Sequence, residues 1–84
     1  MEQLIGKITH YFPKIGVGVI EITDGMLSVG DTIRVTGGER DFTQEVASMQ
    51  IDREEVAAAS VGQAIGLKVD SEVKEGDQVY KVAQ

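Results

Sequence analysis

The 84-residue chain has no cysteine and no tryptophan, one proline and one histidine. Its aromatic content stops at two tyrosines and two phenylalanines. Without cysteine there can be no disulfide and no thiolate-held metal. With one histidine the usual nitrogen ligands for zinc are missing too, so no metal site and no cofactor is expected. The apolar runs are a few residues long, far short of the ~20 that a membrane helix needs. Met1-Glu2-Gln3 gives no basic start, and no apolar stretch follows that would suit a signal peptide. The expectation is therefore a soluble cytoplasmic domain with no membrane partner. Positive charge is also scarce. Eight Lys and Arg stand against fourteen Asp and Glu, a net charge of −6, and no two cations are adjacent. Since phosphate neutralisation drives non-specific nucleic-acid binding, DNA is not an expected partner. A small, specific RNA contact is left open.

What the chain does have is a β-rich pattern. Hydrophobic residues make up 42% and charged residues 26%, enough to give residues 1–84 one globular core. Ten glycines punctuate it, with turn signals at Phe12-Pro13-Lys14, Thr23-Asp24-Gly25, Thr36-Gly37-Gly38-Glu39 and Glu75-Gly76-Asp77. Gly25-Met-Leu-Ser-Val-Gly30-Asp31 reads as a tight corner feeding a strand, and Val73-Lys-Glu-Gly76-Asp77 echoes it. Between the turns, Val- and Ile-rich runs predict strands at 3–11, 15–22, 31–36, 42–51, 61–69 and 78–83. Six short strands with tight turns predict an all-β fold, a small closed six-stranded antiparallel β-barrel, because closure removes exposed edges. Val61, Ile65, Leu67 and Val69 share one parity, as a half-buried strand requires. The parity changes at Val17-Val19 to Ile20-Ile22, and at Val46 to Met49-Ile51, predict bulges in those strands. Asp52 to Ser60 reads as a short helical turn near 52–59, with Asp52 as cap and Glu55 three residues on. Val56 and Ala59 would plug one end of the barrel.

No catalytic constellation emerges. Asp24 and Asp31 fit turn roles better than cation ligation, there being no spaced ligand loop. Ser71-Glu-Val-Lys74 matches a Ser-x-x-Lys pattern but lacks that pattern's companion motifs. Gly16-Val-Gly18 begins like a dinucleotide fingerprint, yet Glu21 occupies the third glycine position and no helix follows. The segment Thr9-His10-Tyr11-Phe12-Pro13-Lys14 stands out: two aromatic rings at a strand end beside the lone histidine and a lysine. Such a set can stack a base or dock a peptide, although an aromatic there can equally cap the barrel interior. His10, Tyr11, Phe12, Lys14 and Arg53 are the candidate binding residues. Gln44, Met49 and Gln50, grouped with Arg53, read as a solvated strand face.

Taken in order, Ile5-Gly-Lys-Ile8, Gly16-x-Gly18, Gly25 to Asp31, Val61-Gly-Gln-Ala-Ile-Gly66 and Glu75-Gly-Asp77 resemble the second β-barrel domain of translational GTPases such as elongation factor Tu. The likeness covers residues 4 to 82. Thr9-His-Tyr-Phe-Pro-Lys-Ile-Gly16 and Ser48-Met-Gln50 resemble more closely the C-terminal barrel of collagenase-like peptidases, some of them linked to RNA modification. The first resemblance implies a barrel that packs on a GTPase domain and holds the aminoacyl end of tRNA, with Phe12 where that pocket has an aromatic residue. Thr9 and His10 stand where the pocket has an acidic pair, Val17 where it has arginine, and Ala64 where it has asparagine. No nucleotide-binding motif is present. The resemblances thus imply a non-catalytic, elongation-factor-like accessory module associated with translation or RNA modification, its partner a protein or a ribonucleoprotein. The alternative is a docking module packing in trans against a catalytic partner, without RNA.

Overall fold

The computed structural model describes residues 2–82. All regular structure among them is β: β1 (Glu2–Phe12), β2 (Val17–Ile22), β3 (Met26–Ser28), β4 (Thr32–Gly37), β5 (Arg40–Glu45), β6 (Met49–Ile51), β7 (Glu54–Val56), β8 (Ala58–Ser60), β9 (Ala64–Lys68) and β10 (Gln78–Val82). Eight of them form one antiparallel sheet in the order β5-β4-β10-β1-β2-β9-β6-β7, while β3 and β8 pair as a separate ribbon. Residue 83, the end of the last expected strand, lies outside the described residues.

The sheet wraps around an aliphatic core of Ile5, Ile8, Ile20, Ile22, Ile33, Val35, Ile65, Leu67, Val79 and their neighbours. The expected closed six-stranded barrel is not what forms, because the ladder has eight strands and two ends, β5 and β7. A side chain spans the seam instead. Gln44 on β5 donates to the Lys68 carbonyl at the end of β9 (2.9 Å) and accepts from the Asp70 amide (2.8 Å). Gln44 is therefore buried and bonded, not part of a solvated face, and Met49 likewise belongs to the core.

The expected strand 42–51 is broken, and its backbone shows why. Val46 donates to the Asp31 carbonyl and accepts from the Gly30 amide, both at 2.8 Å. These bonds divert the chain at 46–48 before it resumes as β6. The expected bulge in the second strand also lies elsewhere. β2 pairs with β9 without a break, with Gly18, Ile20 and Ile22 facing inward. The irregularities are in β1, where the register skips Ile5 against β10 and Thr9 against β2. The first lets Ile5 and Ile8, three residues apart, both reach the core, as a bulge allows.

The helical turn near 52–59 is absent. Asp52 and Arg53 both take positive φ, 52° and 69°, and link β6 to β7 as a two-residue hairpin. That is the mirror-image turn whose twist suits flanking strands. Alanine's helix preference is overridden by pairing, Leu27 opposite Ala59 and Met49 opposite Val56. Ala59 and Val56 do pack on the core, but from strands.

Three corners share one construction. In Ser28-Val-Gly-Asp31, Ser60-Val-Gly-Gln63 and Lys74-Glu-Gly-Asp77, the last amide bonds back to the first carbonyl at 3.0–3.1 Å. The first amide in turn donates to the last side chain at 2.8, 2.8 and 3.0 Å. The glycines take φ of 95°, 90° and 90°, the third-position geometry of a type II turn that disfavours any side chain.

Candidate binding surface

The β1–β2 hairpin builds the exposed tip that the sequence singled out. The Ile15 and Gly16 amides both donate to the Phe12 carbonyl (3.2 and 2.9 Å), closing the turn over Pro13 and Lys14. Alternation along β1 then sorts the side chains. His10 and Phe12 point to one side, their ring centroids 6.3 Å apart and their planes 29° from parallel. Tyr11 points to the other side and packs against the core. Phe12 is 49% exposed and Ile15 64%, so the tip offers an aromatic ring and a branched aliphatic chain to solvent. Lys14 is exposed beside them and makes no ion pair among the described residues. The His10 ring nitrogen Nδ1 lies 3.5 Å from Glu75 Oε1 across the neighbouring corner.

Arg53 is not part of this tip. β6 opposes β9 with Gln50 facing Gly66, and β9 opposes β2 with Lys68 facing Val17. The hairpin at 52–53 therefore projects beyond the Ala64 end of β9, while the tip lies at the Lys68 end. Of the five candidates, the fold gathers His10, Phe12 and Lys14 outside, turns Tyr11 inward, and sets Arg53 apart.

Two polar clusters escaped the sequence analysis. Arg40 holds Asp77 through two bonds, 2.8 and 2.6 Å, with Asp77 only 3% exposed. The paired guanidinium, helped by the Lys74 amide, holds the Asp77 carboxyl below its ordinary range against the opposing effect of burial. On the outer surface Arg34 forks between Asp41 (2.7 and 2.5 Å) and Glu2 (2.9 and 3.1 Å). This raises the guanidinium pKa and lowers that of Asp41. Both arginines border an open depression of about 490 Å³, where Arg34 bonds carboxylates through all three nitrogens and Arg40 bonds Asp77 through Nε and Nη2. These partners lie 37 residues apart for Arg40 and 32 for Glu2. Pattern alone could not join them, although the Gly76-Asp77 echo did mark one end.

Chemically, the exposed Phe12 ring and Ile15 chain at the tip can make apolar contacts. Among the described residues no three His, Asp or Glu side chains gather as a metal site, and no helix is long and apolar enough to cross a membrane.

No protein-family model matches the chain. It is 38% identical over 77 residues to an uncharacterized protease of Methanocaldococcus jannaschii, covering 90% of this chain and 19% of that protein. It is 33% identical over 78 residues to a collagenase of Porphyromonas gingivalis, covering 92% of this chain and 22% of the relative. The chain thus spans about a fifth of the length of these curated relatives. Among solved structures, two of the C-terminal domain of a U32 peptidase candidate from Geobacillus thermoleovorans superpose with TM-scores of 0.89 and 0.86, each at 21% identity. They cover 96% and 92% of this chain, and 93% and 96% of the solved chains. Of the two resemblances drawn from the sequence, these findings support the collagenase-like one, and the elongation-factor likeness rests on its motifs alone. The chain is similar, over nearly its whole length, to one discrete β-structured unit of larger peptidase-like proteins.

Proposed function

We propose that this chain is a non-catalytic accessory domain that works beside a larger catalytic body and offers the β1–β2 tip as a binding surface. One observation carries the proposal: nine tenths of the chain matches about one fifth of each larger relative. Supporting it, the exposed Phe12 and Ile15 are the kind of apolar anchors that recognition surfaces use. The body lies either in the same polypeptide or in a separate partner.

The test is a graft. Deleting the matched 78 residues from the P. gingivalis collagenase is expected to lower its collagen cleavage, and inserting this chain in their place to restore it. The isolated chain is expected to cleave nothing. Cleavage by the isolated chain, or a graft no better than the deletion, would overturn the proposal.

A second reading is favoured by the His10–Phe12 stack next to Lys14, which suits a splayed RNA base. On this reading the tip contacts RNA, in line with the RNA-modification link implied by the sequence resemblance. Three of the eight cations, Arg34, Arg40 and Lys81, are neutralised by carboxylates, so Lys14 would supply much of the phosphate contact. Single-stranded RNA affinity should fall steeply with salt and collapse in Lys14→Ala. No binding at low salt would rule this reading out.

A further inference from the structure

The turn at Thr23-Asp24-Gly25 sets a carboxyl and a backbone nitrogen side by side with little to hold either. Asp24-Gly25 is the one Asp-Gly pair in the sequence, which has no asparagine. The Thr23 and Asp24 amides both donate to the Ile5 carbonyl (2.7 and 3.2 Å), and β3 begins at Met26, opposite Ser60. Gly25, with φ of 70°, is the single residue between these two anchors. Among the described residues its amide has no hydrogen-bond partner. Asp24 is exposed, and among the described residues its carboxylate meets only Gln3 Nε2, at 3.4 Å. With no Cβ on Gly25, the nitrogen is unshielded as well. The other aspartates differ. Asp31, Asp41 and Asp77 are held by Lys81, Arg34 and Arg40. Asp52 and Asp70 precede Arg53 and Ser71, whose Cβ atoms crowd the next nitrogen.

We propose that Asp24-Gly25 is a self-modification site, where the folded chain converts aspartate to isoaspartate and so loosens the β3–β8 ribbon. The Gly25 nitrogen gives up its proton and bonds to the Asp24 Cγ, the Cγ–O bond breaks, and one water leaves, closing a cyclic imide. Water then adds back to one of the two imide carbonyls. Addition at the Asp24 main-chain carbonyl breaks its bond to nitrogen and leaves the chain running through the side-chain carbons. The product has the same composition with one extra carbon in the backbone, and water is the only co-reactant. Ring closure needs the Asp24 side chain to swing onto the next nitrogen, a motion that only the long Gln3 contact opposes. The consequence follows from the neighbours. Leu27 and Ala59, paired across the ribbon, are both buried in the core. An added carbon between the Ile5 anchor and β3 must break the Thr23 and Asp24 bonds or shift Leu27 from its place.

Ageing the chain in heavy-oxygen water, followed by peptide mass spectrometry, tests the site, because each imide that reopens takes up one solvent oxygen. The folded chain should gain label at Asp24 several-fold faster than at Asp70, an equally exposed aspartate with serine next to it. Fragmentation should show part of the labelled Asp24 as isoaspartate. In Gly25→Ala the rate at Asp24 should fall to that at Asp70, since the new methyl group meets only the flexible end of Gln3 and shields the nitrogen. Should the left-handed φ make that variant unfold, the wild type compared with itself in urea still decides. Label that appears at Asp24 only in the unfolded chain would mean that the fold protects the pair, and the proposal fails. Equal rates at Asp24 and Asp70 in the folded chain would overturn it too. The isoaspartyl form, separated by chromatography, should unfold at a lower urea midpoint than the unmodified chain. Matching midpoints would overturn the loosening of the ribbon.

Discussion

At Ser28-Val29-Gly30-Asp31 and at Lys74-Glu75-Gly76-Asp77 the chain makes the same turn with the same bonds, yet the two aspartates live in different surroundings. Asp31 is 25% exposed and meets Lys81 Nζ at 3.2 Å through a single ammonium. Asp77 is 3% exposed and meets Arg40 through a two-bond fork. Around Asp77 the backbone is drawn in as well, with Ile8 donating to the Asp77 carbonyl and Gly76 to the Ile8 carbonyl, both at 2.8 Å. Gly37 packs so closely that a Cβ there would collide with the Asp77 carboxylate. The motif sets the shape of a corner. Burial and the partner's geometry decide how much the fold depends on it.

The largest way to break this pairing is to remove the buried carboxylate. Asp77→Ala should cost about 3 kcal/mol, since a nearly buried ion pair loses one member and the Lys74 amide loses its acceptor. Urea unfolding measures it. Gly37→Ala should be comparably damaging without removing either charge, because the new methyl group must push the carboxylate aside. Acid provides an independent check. The Asp77 pKa is lowered in the folded state, so its contribution is present above the unfolded aspartate value of about 3.9. That contribution is lost as pH falls through the folded value. The wild type should therefore lose stability more steeply than Asp77→Asn on acidification below about pH 4. Parallel curves would mean the Arg40 fork does not act through charge.

Asp31→Ala should cost less, about 1 kcal/mol, the typical worth of one side-chain-to-backbone hydrogen bond at a partly exposed site. Equal losses at the two corners would show that the turn itself, and not burial of its aspartate, carries the energy.

How much of this was legible beforehand can be traced residue by residue. The strands around Ile5, Ile20, Ile33, Ile65 and Val79 follow from alternation and turn glycines, because those signals are local. The Gly30 and Gly76 corners were visible for the same reason, while the matching Ser60-Val-Gly-Gln63 corner was hidden by glutamine standing in for aspartate. The open seam was not legible: it depends on Gln44 reaching Lys68 and Asp70, 24 and 26 residues away. Nor was the break at 46–48, set by the Val46 bonds to Gly30 and Asp31. At the tip, the sequence placed His10, Phe12 and Lys14 together because they are neighbours on one strand and its turn. It could not tell how far Arg53, the fifth candidate, lies from them, because that distance is fixed only by the β6–β9–β2 register.

The smallest expected effect sharpens the comparison from a third turn. Every shared corner puts glycine at its left-handed position, but the β6–β7 hairpin puts Asp52 and Arg53 there. A side chain in that region costs roughly 1–2 kcal/mol per residue, and Asp-Gly is a preferred pair for this turn. Arg53→Gly relieves that strain, although the freer unfolded chain gives back part of the gain. A net stabilisation of about 0.5 kcal/mol in urea unfolding is expected. Because Arg53 lies at the far end from the tip, the same variant should leave RNA or partner affinity at the β1–β2 hairpin unchanged. A drop in that affinity would join Arg53 to the binding surface after all, and would show that the two ends of the sheet meet a single ligand.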